Sequence, residues 1–185
     1  RAIARLKNRL DVSSAADIVG KSAIAAGMDG MVGGQVADVK YSSKTMVSGA
    51  GRVDLSRKKN FLSRYRRILD YIHLNKTARL IELSSILGGL LAGATSRRKV
   101  ALMEYGRKIG LAFQITDDLL DDIPDSSDAK NFRLTYPSLY GRSVALKKAR
   151  ALADEAAKAL AVFPAESRAK KFLEQLADFI VNRKK

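Results

Sequence analysis

The chain carries, over residues 97–122, the stretch RRKVALMEYGRKIGLAFQITDDLLDD. Its apolar residues recur at the three- and four-residue spacings of one helical face. Pro124 follows directly, and a proline cannot continue a helix. The stretch therefore predicts one long helix over 97–122 and favours an all-α protein.

The remainder of the chain has the same periodicity, and no convincing period-two alternation indicates a strand. We expect a break between two helices at 73–75 and loops at 41–53 and 125–140. No repeat or linker divides the sequence, so it predicts one domain over 1–185, an all-α helical bundle. The predicted helices are 1–10, 15–26, 28–39, 55–72, 76–94, 97–122, 142–162 and 166–182.

Composition excludes several classes of protein. The 185 residues include no cysteine, which excludes a disulfide framework and a thiol nucleophile and fits a cytoplasmic location. The longest apolar stretch, 86–94, is too short to span a bilayer, so we expect no transmembrane segment. The net charge of +15 attracts polyanions such as nucleic acid, an anionic membrane or a phosphorylated small molecule.

Small residues are concentrated in the predicted helix 28–39. Gly30, Gly33, Gly34 and Ala37 recur at three- and four-residue spacings. Glycine lowers helix stability, so its repeated use predicts a close backbone approach to a neighbour or a ligand.

Acidic residues mark the end of the long helix. Gln114, Asp117, Asp118 and Asp121 fall on one face at 3.6 residues per turn. Three carboxylates on one stripe repel each other unless a cation lies among them, and an oxygen-only ligand set favours Mg²⁺ or Mn²⁺. The alternative is an acidic helix end exposed to solvent, which the helix dipole disfavours.

Two weaker signals accompany the aspartates. Lys76 and Thr77 would place an ammonium, a hydroxyl and backbone N–H groups at the start of an apolar helix, as an anion site does; an ordinary helix start is the alternative. Arg133, in a predicted loop, could clamp a diphosphate. His73, the single histidine, is expected to be a hydrogen-bonded structural residue.

Five motifs follow one another along the chain: MVGGQVAD at 31–38, His73 with Lys76-Thr77, GLAFQITDDLLD at 110–121, Thr135-Tyr136-Pro137 and IVNRK at 180–184. Together, and over nearly the whole chain, they resemble the motifs of the trans-isoprenyl (polyprenyl) diphosphate synthases, which include the farnesyl and geranylgeranyl diphosphate synthases.

The resemblance implies a fold, a reaction and roles for the residues. The fold would be the C-terminal portion of the isoprenoid synthase fold, an antiparallel helical bundle around a central apolar cavity. The reaction would be the Mg²⁺-dependent condensation of isopentenyl diphosphate with an allylic diphosphate. The implied roles are metal binding by Asp117, completed by Asp118 and Asp121 directly or through water; contact with the allylic diphosphate by Lys76 and Thr77; a position near the reacting carbon for Gln114; and Arg133 where the family usually has lysine.

The sequence departs from the family pattern in two places. No Asp-Asp pair precedes Asp117, whereas family members carry a first aspartate-rich motif upstream. The stretch 122–133 is also shorter than usual. We therefore expect the chain to begin inside a longer polypeptide, lacking its N-terminal helices. The resemblance also implies a homodimer. The alternatives are a non-catalytic regulatory subunit in a synthase heteromer and, from charge alone, an unrelated basic binder of nucleic acid or membrane; we expect no nucleic-acid partner.

Overall fold

The computed structural model describes residues 12–42, 55–121 and 134–183. Within these ranges the chain forms α-helices, one π-helical segment and one 3-10 turn, and no strand. This confirms the predicted all-α class. The helices are α1 (Val12–Ala26), α2 (Met31–Ser42), α3 (Leu55–Ile72), the π-helical segment (His73–Ala78), α4 (Arg79–Leu91), α5 (Ser96–Asp121), α6 (Tyr136–Tyr140), α7 (Arg142–Ala159) and α8 (Arg168–Asn182), with the 3-10 turn at Leu160–Val162.

The long helix α5 is the centre of the bundle. It contacts α4, α7, α8, α6 and the π-helical segment. Its buried face carries Tyr105, Ile109 and Ile115. Buried alanines such as Ala149 and Ala156 on α7 favour close packing of α7 against α5, because each adds only a methyl group to the helix surface. Packing against neighbours, more than helix propensity, stabilises such a helix.

The break predicted at 73–75 is wrong. The helix continues through this region in the π form, and the Arg79 N–H donates to the carbonyl of Leu74, five residues earlier. The segment stays hydrogen-bonded while it gains an extra residue per turn, a feature that recurs at functional sites.

Other boundaries differ by a few residues from those predicted. The helix predicted at 28–39 is α2, which ends at Ser42. The predicted loop 125–140 contains the short helix α6. That helix begins because Thr135 accepts a hydrogen bond from the Ser138 N–H and Pro137 lies in its first turn, both of which favour a helix start. The predicted helix 1–10 lies outside the described residues.

A single residue with a positive φ angle, Gly141, joins α6 to α7. Gly141 has φ 84°, a conformation that glycine adopts without steric cost. The turn directs α7 back along α5. In the described part of the chain, no helix combines the length and apolarity that a membrane crossing requires.

Candidate active site

Lys76 and Thr77 are neighbours in the π-helical segment, yet they contact different helices. The Lys76 Nζ lies 2.6 Å from the Asp38 Oδ2 on α2. The Thr77 hydroxyl donates to the Gln114 Oε1 on α5 at 2.7 Å. The segment thus links Thr77 to Gln114 on α5, while Lys76, the residue before Thr77, pairs with α2.

Glycines fix the position of this segment. A Cβ on Gly34 of α2 would lie 2.2 Å from the Lys76 backbone nitrogen, and one on Gly110 of α5 would lie 2.6 Å from the Ala78 Cα. A side chain at either place would force the backbones apart. The close approach predicted from the glycines of α2 is confirmed at Gly34, and its neighbour is the backbone that carries Lys76.

The three aspartates of α5 have different surroundings. Asp118 is buried, and its Oδ2 accepts from the His73 Nε2 at 3.0 Å and from the Tyr136 N–H at 2.8 Å. The side chain of Asp117 is 49% exposed. Asp121, the last residue of α5, is exposed.

His73 has the structural role expected from the sequence. It is 4% exposed, and because a carboxylate accepts hydrogen bonds, its Nε2 is the donor towards Asp118. Its ring also stacks on that of Tyr136, with centroids 6.2 Å apart. Burial, with the nearby Tyr140 and Asp70, raises the pKa of the Tyr136 phenol, so the ring stays uncharged at neutral pH.

Asp117 forms an ion pair with the last described residue of the chain. The Arg183 Nη2 donates to the Asp117 Oδ1 at 2.9 Å, and the guanidinium carbon lies 4.1 Å from the centroid of the Phe113 ring. Arg183 also lines an open depression of about 610 Å³ along α8. The sequence assigned no role to Arg183, although it belongs to one of the motifs that carry the resemblance.

The described residues include no group of three His, Cys, Asp or Glu side chains placed to share a metal. The reason is the divergence of the aspartates, since Asp118 turns inward to His73 and Tyr136. Asp117 and Asp121 remain one helical turn apart at the accessible end of α5. Mg²⁺ takes one or two carboxylates and completes its shell with water and phosphate oxygens, so this oxygen-only pair fits the ion. Arg133 lies outside the described residues.

Solved structures show the same architecture. The apo crystal structure of an FPP/GFPP synthase from Zymomonas mobilis matches with a TM-score of 0.71 and 30% identity, over 92% of this chain and 52% of that chain. The all-α bundle is therefore an isoprenoid synthase fold. Residues 18–176 match the family model for polyprenyl synthetase, and the chain belongs to that family.

Curated relatives carry the same family identity. The chain is 34% identical over 177 residues to a farnesyl diphosphate synthase of Escherichia coli strain K12, which covers 91% of this chain and 53% of the relative. It is 35% identical over 162 residues to a geranylgeranyl diphosphate synthase of Cyanophora paradoxa, covering 83% of this chain and 47% of that one. The chain spans about half the length of these relatives.

Proposed function

We propose that this chain contributes the diphosphate-binding half of a prenyltransferase that condenses isopentenyl diphosphate with an allylic diphosphate to a longer polyprenyl diphosphate. One observation carries the proposal: the Thr77 hydroxyl bonds to Gln114 on α5, the helix whose accessible end bears Asp117 and Asp121, and Lys76 directly precedes Thr77 in the chain. An ammonium, a hydroxyl and a pair of carboxylates are groups that bind a metal–diphosphate.

Lys76 is the cation of the proposed site. Its side chain is 31% exposed, and its ammonium is paired with Asp38, which holds it in place from α2. When the bond between C1 and the diphosphate oxygen breaks, the electron pair leaves with the diphosphate. A fixed ammonium stabilises that developing charge without having to reorganise. Arg133, assigned by sequence alone, would add a second cation.

The carboxylates Asp117 and Asp121 would hold Mg²⁺. The ion, when bound, neutralises charge on the departing diphosphate. Asp118 would reach it only through water, because its buried oxygens already accept from His73, Tyr136 and Gln114. The remaining steps, attack by the double bond of isopentenyl diphosphate on C1 and loss of a proton, need walls that exclude water; the predicted apolar cavity would provide them.

We also propose that the chain works as a homodimer in the cytoplasm. Exposed apolar side chains on α1 and α2 support a subunit interface on these helices: Ile24 is 63% exposed and Val39 is 62% exposed. Light scattering behind size-exclusion chromatography tests the assembly, with twice the chain mass expected and the monomer mass contradicting it.

Calorimetric titration with inorganic pyrophosphate tests the proposed function. The wild type should bind pyrophosphate in the presence of Mg²⁺ and at least tenfold more weakly without it, and Asp117→Asn should abolish the Mg²⁺ effect. Asp154→Asn, the same change at an exposed position on α7, is the control and should match the wild type. Binding that ignores Mg²⁺ and falls steeply with salt would instead indicate a general polyanion binder.

A further inference from the structure

Asp118 lies where three parts of the chain meet. The residue is 9% exposed. Its Oδ2 accepts from the His73 Nε2 of the π-helical segment and from the Tyr136 N–H at the start of α6. Its Oδ1 accepts from the Gln114 Nε2, one turn earlier on α5, at 3.4 Å. Both oxygens therefore serve as acceptors inside the protein.

This arrangement decides which way the Gln114 amide faces. A carboxylate accepts, so the group of Gln114 that faces Asp118 must be its NH₂. The carbonyl oxygen Oε1 then points the other way, to the Thr77 hydroxyl at 2.7 Å. Thr77, Gln114 and Asp118 form a chain of hydrogen bonds with one direction, in which each group donates to the next.

We propose that Asp118 is a positioning residue, which fixes the Gln114 amide with its oxygen towards Thr77. The functional part of this inference rests on the proposed function. In that setting the amide dipole turns its negative end to the side of Thr77, where the proposed function would place the allylic carbon that becomes positive. The flipped amide would turn its NH₂ to the same place and would oppose that charge.

Asp118→Asn tests the assignment because it keeps the shape and changes the donor pattern. Two donors, from His73 and Tyr136, hold the oxygen of the new amide at the Oδ2 position. Its NH₂ would then face the NH₂ of Gln114, and the Gln114 amide would flip. After the flip the Thr77 hydroxyl has lost its acceptor, Gln114 Oε1. We expect the melting temperature to fall by about 5 °C, as for loss of a buried hydrogen bond.

The second variant restores the pattern. In Asp118→Asn with Gln114→Glu, the new carboxylate at 114 accepts from both the Asn amide and the Thr77 hydroxyl. We expect the double variant to recover at least half of the decrease in melting temperature that Asp118→Asn causes. Gln114→Glu alone places two carboxylates next to each other and should melt at a lower temperature than the wild type. Asp154→Asn is the matched control and should melt with the wild type.

The melting temperatures test whether Asp118 orients the Gln114 amide. Turnover tests whether that orientation matters for catalysis. Recovery in the double variant supports the assignment, also where Asp118→Asn alone fails to fold. Additive losses, or a double variant that does not fold, would overturn it and leave Asp118 as an anchor for His73 and Tyr136. In the protein that the whole gene encodes, Asp118→Asn should lower kcat at least tenfold with KM changed less than threefold; an unchanged kcat would overturn the catalytic part. Absence of wild-type turnover would count against the proposed function and not against the melting result.

Discussion

Arg183 and Asp117 join the end of the chain to the proposed metal site. They lie 66 positions apart in sequence, and the Arg183 Nη2 approaches the Asp117 Oδ1 to 2.9 Å. The guanidinium also lies against the Phe113 ring, and its buried Nε has no hydrogen-bond partner among the residues that the structure describes. Asp117, the proposed Mg²⁺ ligand, is thus also paired with a cation of the protein itself, Arg183.

Removing Arg183 should strengthen metal binding. In Arg183→Met, Asp117 loses a competing cation, and we expect the affinity for Mn²⁺ to rise roughly two- to fivefold, the range for a partly exposed ion pair. Electron paramagnetic resonance of free Mn²⁺ measures this. Arg97→Met, which removes an exposed charge at the other end of α5, is the control. Equal or weaker affinity in Arg183→Met would show that Arg183 does not compete with the metal.

Lys76 should bind pyrophosphate directly. We expect Lys76→Met to weaken Mg²⁺-dependent pyrophosphate binding by roughly 10- to 100-fold, the value of a hydrogen bond between charged groups. Lys108→Met, whose ammonium pairs with Glu155 between α5 and α7, should leave the affinity unchanged. Isothermal titration calorimetry distinguishes them, and equal losses in both variants would point to net charge instead of a site.

The contact between Gly34 and the π-helical segment should not tolerate a methyl group. A Cβ at this position would lie 2.2 Å from the Lys76 nitrogen, so we expect Gly34→Ala to lower the free energy of unfolding by about 1–3 kcal/mol. Gly20→Ala is the matched control, since nothing lies within 4 Å of its Cβ on α1 and alanine favours a helix. Urea unfolding should show opposite shifts, and a stable Gly34→Ala would mean that the segment can move away.

Tyr105 should make stability fall at high pH. Its phenol donates to the Leu173 carbonyl at 2.8 Å, and burial raises the pKa of the Tyr105 phenol to about 12. The unfolded chain, with a pKa near 10, loses this proton first. The contribution is therefore complete below about pH 10 and is lost as the pH rises from about 10 to 12.

Tyr105→Phe isolates that contribution. Part of the decline of unfolding free energy between pH 9 and 11.5, about 2 kcal/mol, should be absent in the variant. Urea midpoints at the two pH values measure the difference. Parallel declines in both proteins would show that Tyr105 ionises equally in the folded and unfolded chains.

The sequence predicted local geometry well. The helix over 55–72 has the predicted bounds, and the 3.6-residue spacing correctly placed Gln114, Asp117 and Asp118 on α5. The break at 73–75 was wrong because the segment is stabilised by neighbours: Gly34 and Gly110 give it room, and the π form keeps its backbone bonded. Local propensity does not contain those contacts.

The sequence could not predict which distant partner each site residue takes. Asp38 lies 38 positions from Lys76, and Tyr136 lies 18 from Asp118. The aspartates looked equivalent on one helical stripe, yet one is buried under three donors and one pairs with Arg183. Such differences arise only when the bundle packs. The cavity, the assembly and the role of Arg133 stay predictions.

A turnover assay tests whether this chain serves prenyl transfer. The assay follows incorporation of isopentenyl diphosphate into products with geranyl or farnesyl diphosphate as the acceptor, with and without Mg²⁺. It compares this chain with whatever longer polypeptide its gene encodes, and with Asp117→Ala in the same protein. We predict Mg²⁺-dependent chain elongation by the protein that the whole gene encodes and its loss in Asp117→Ala. No elongation by that protein would contradict the proposed function and would point to a regulatory subunit that pairs with a complete synthase.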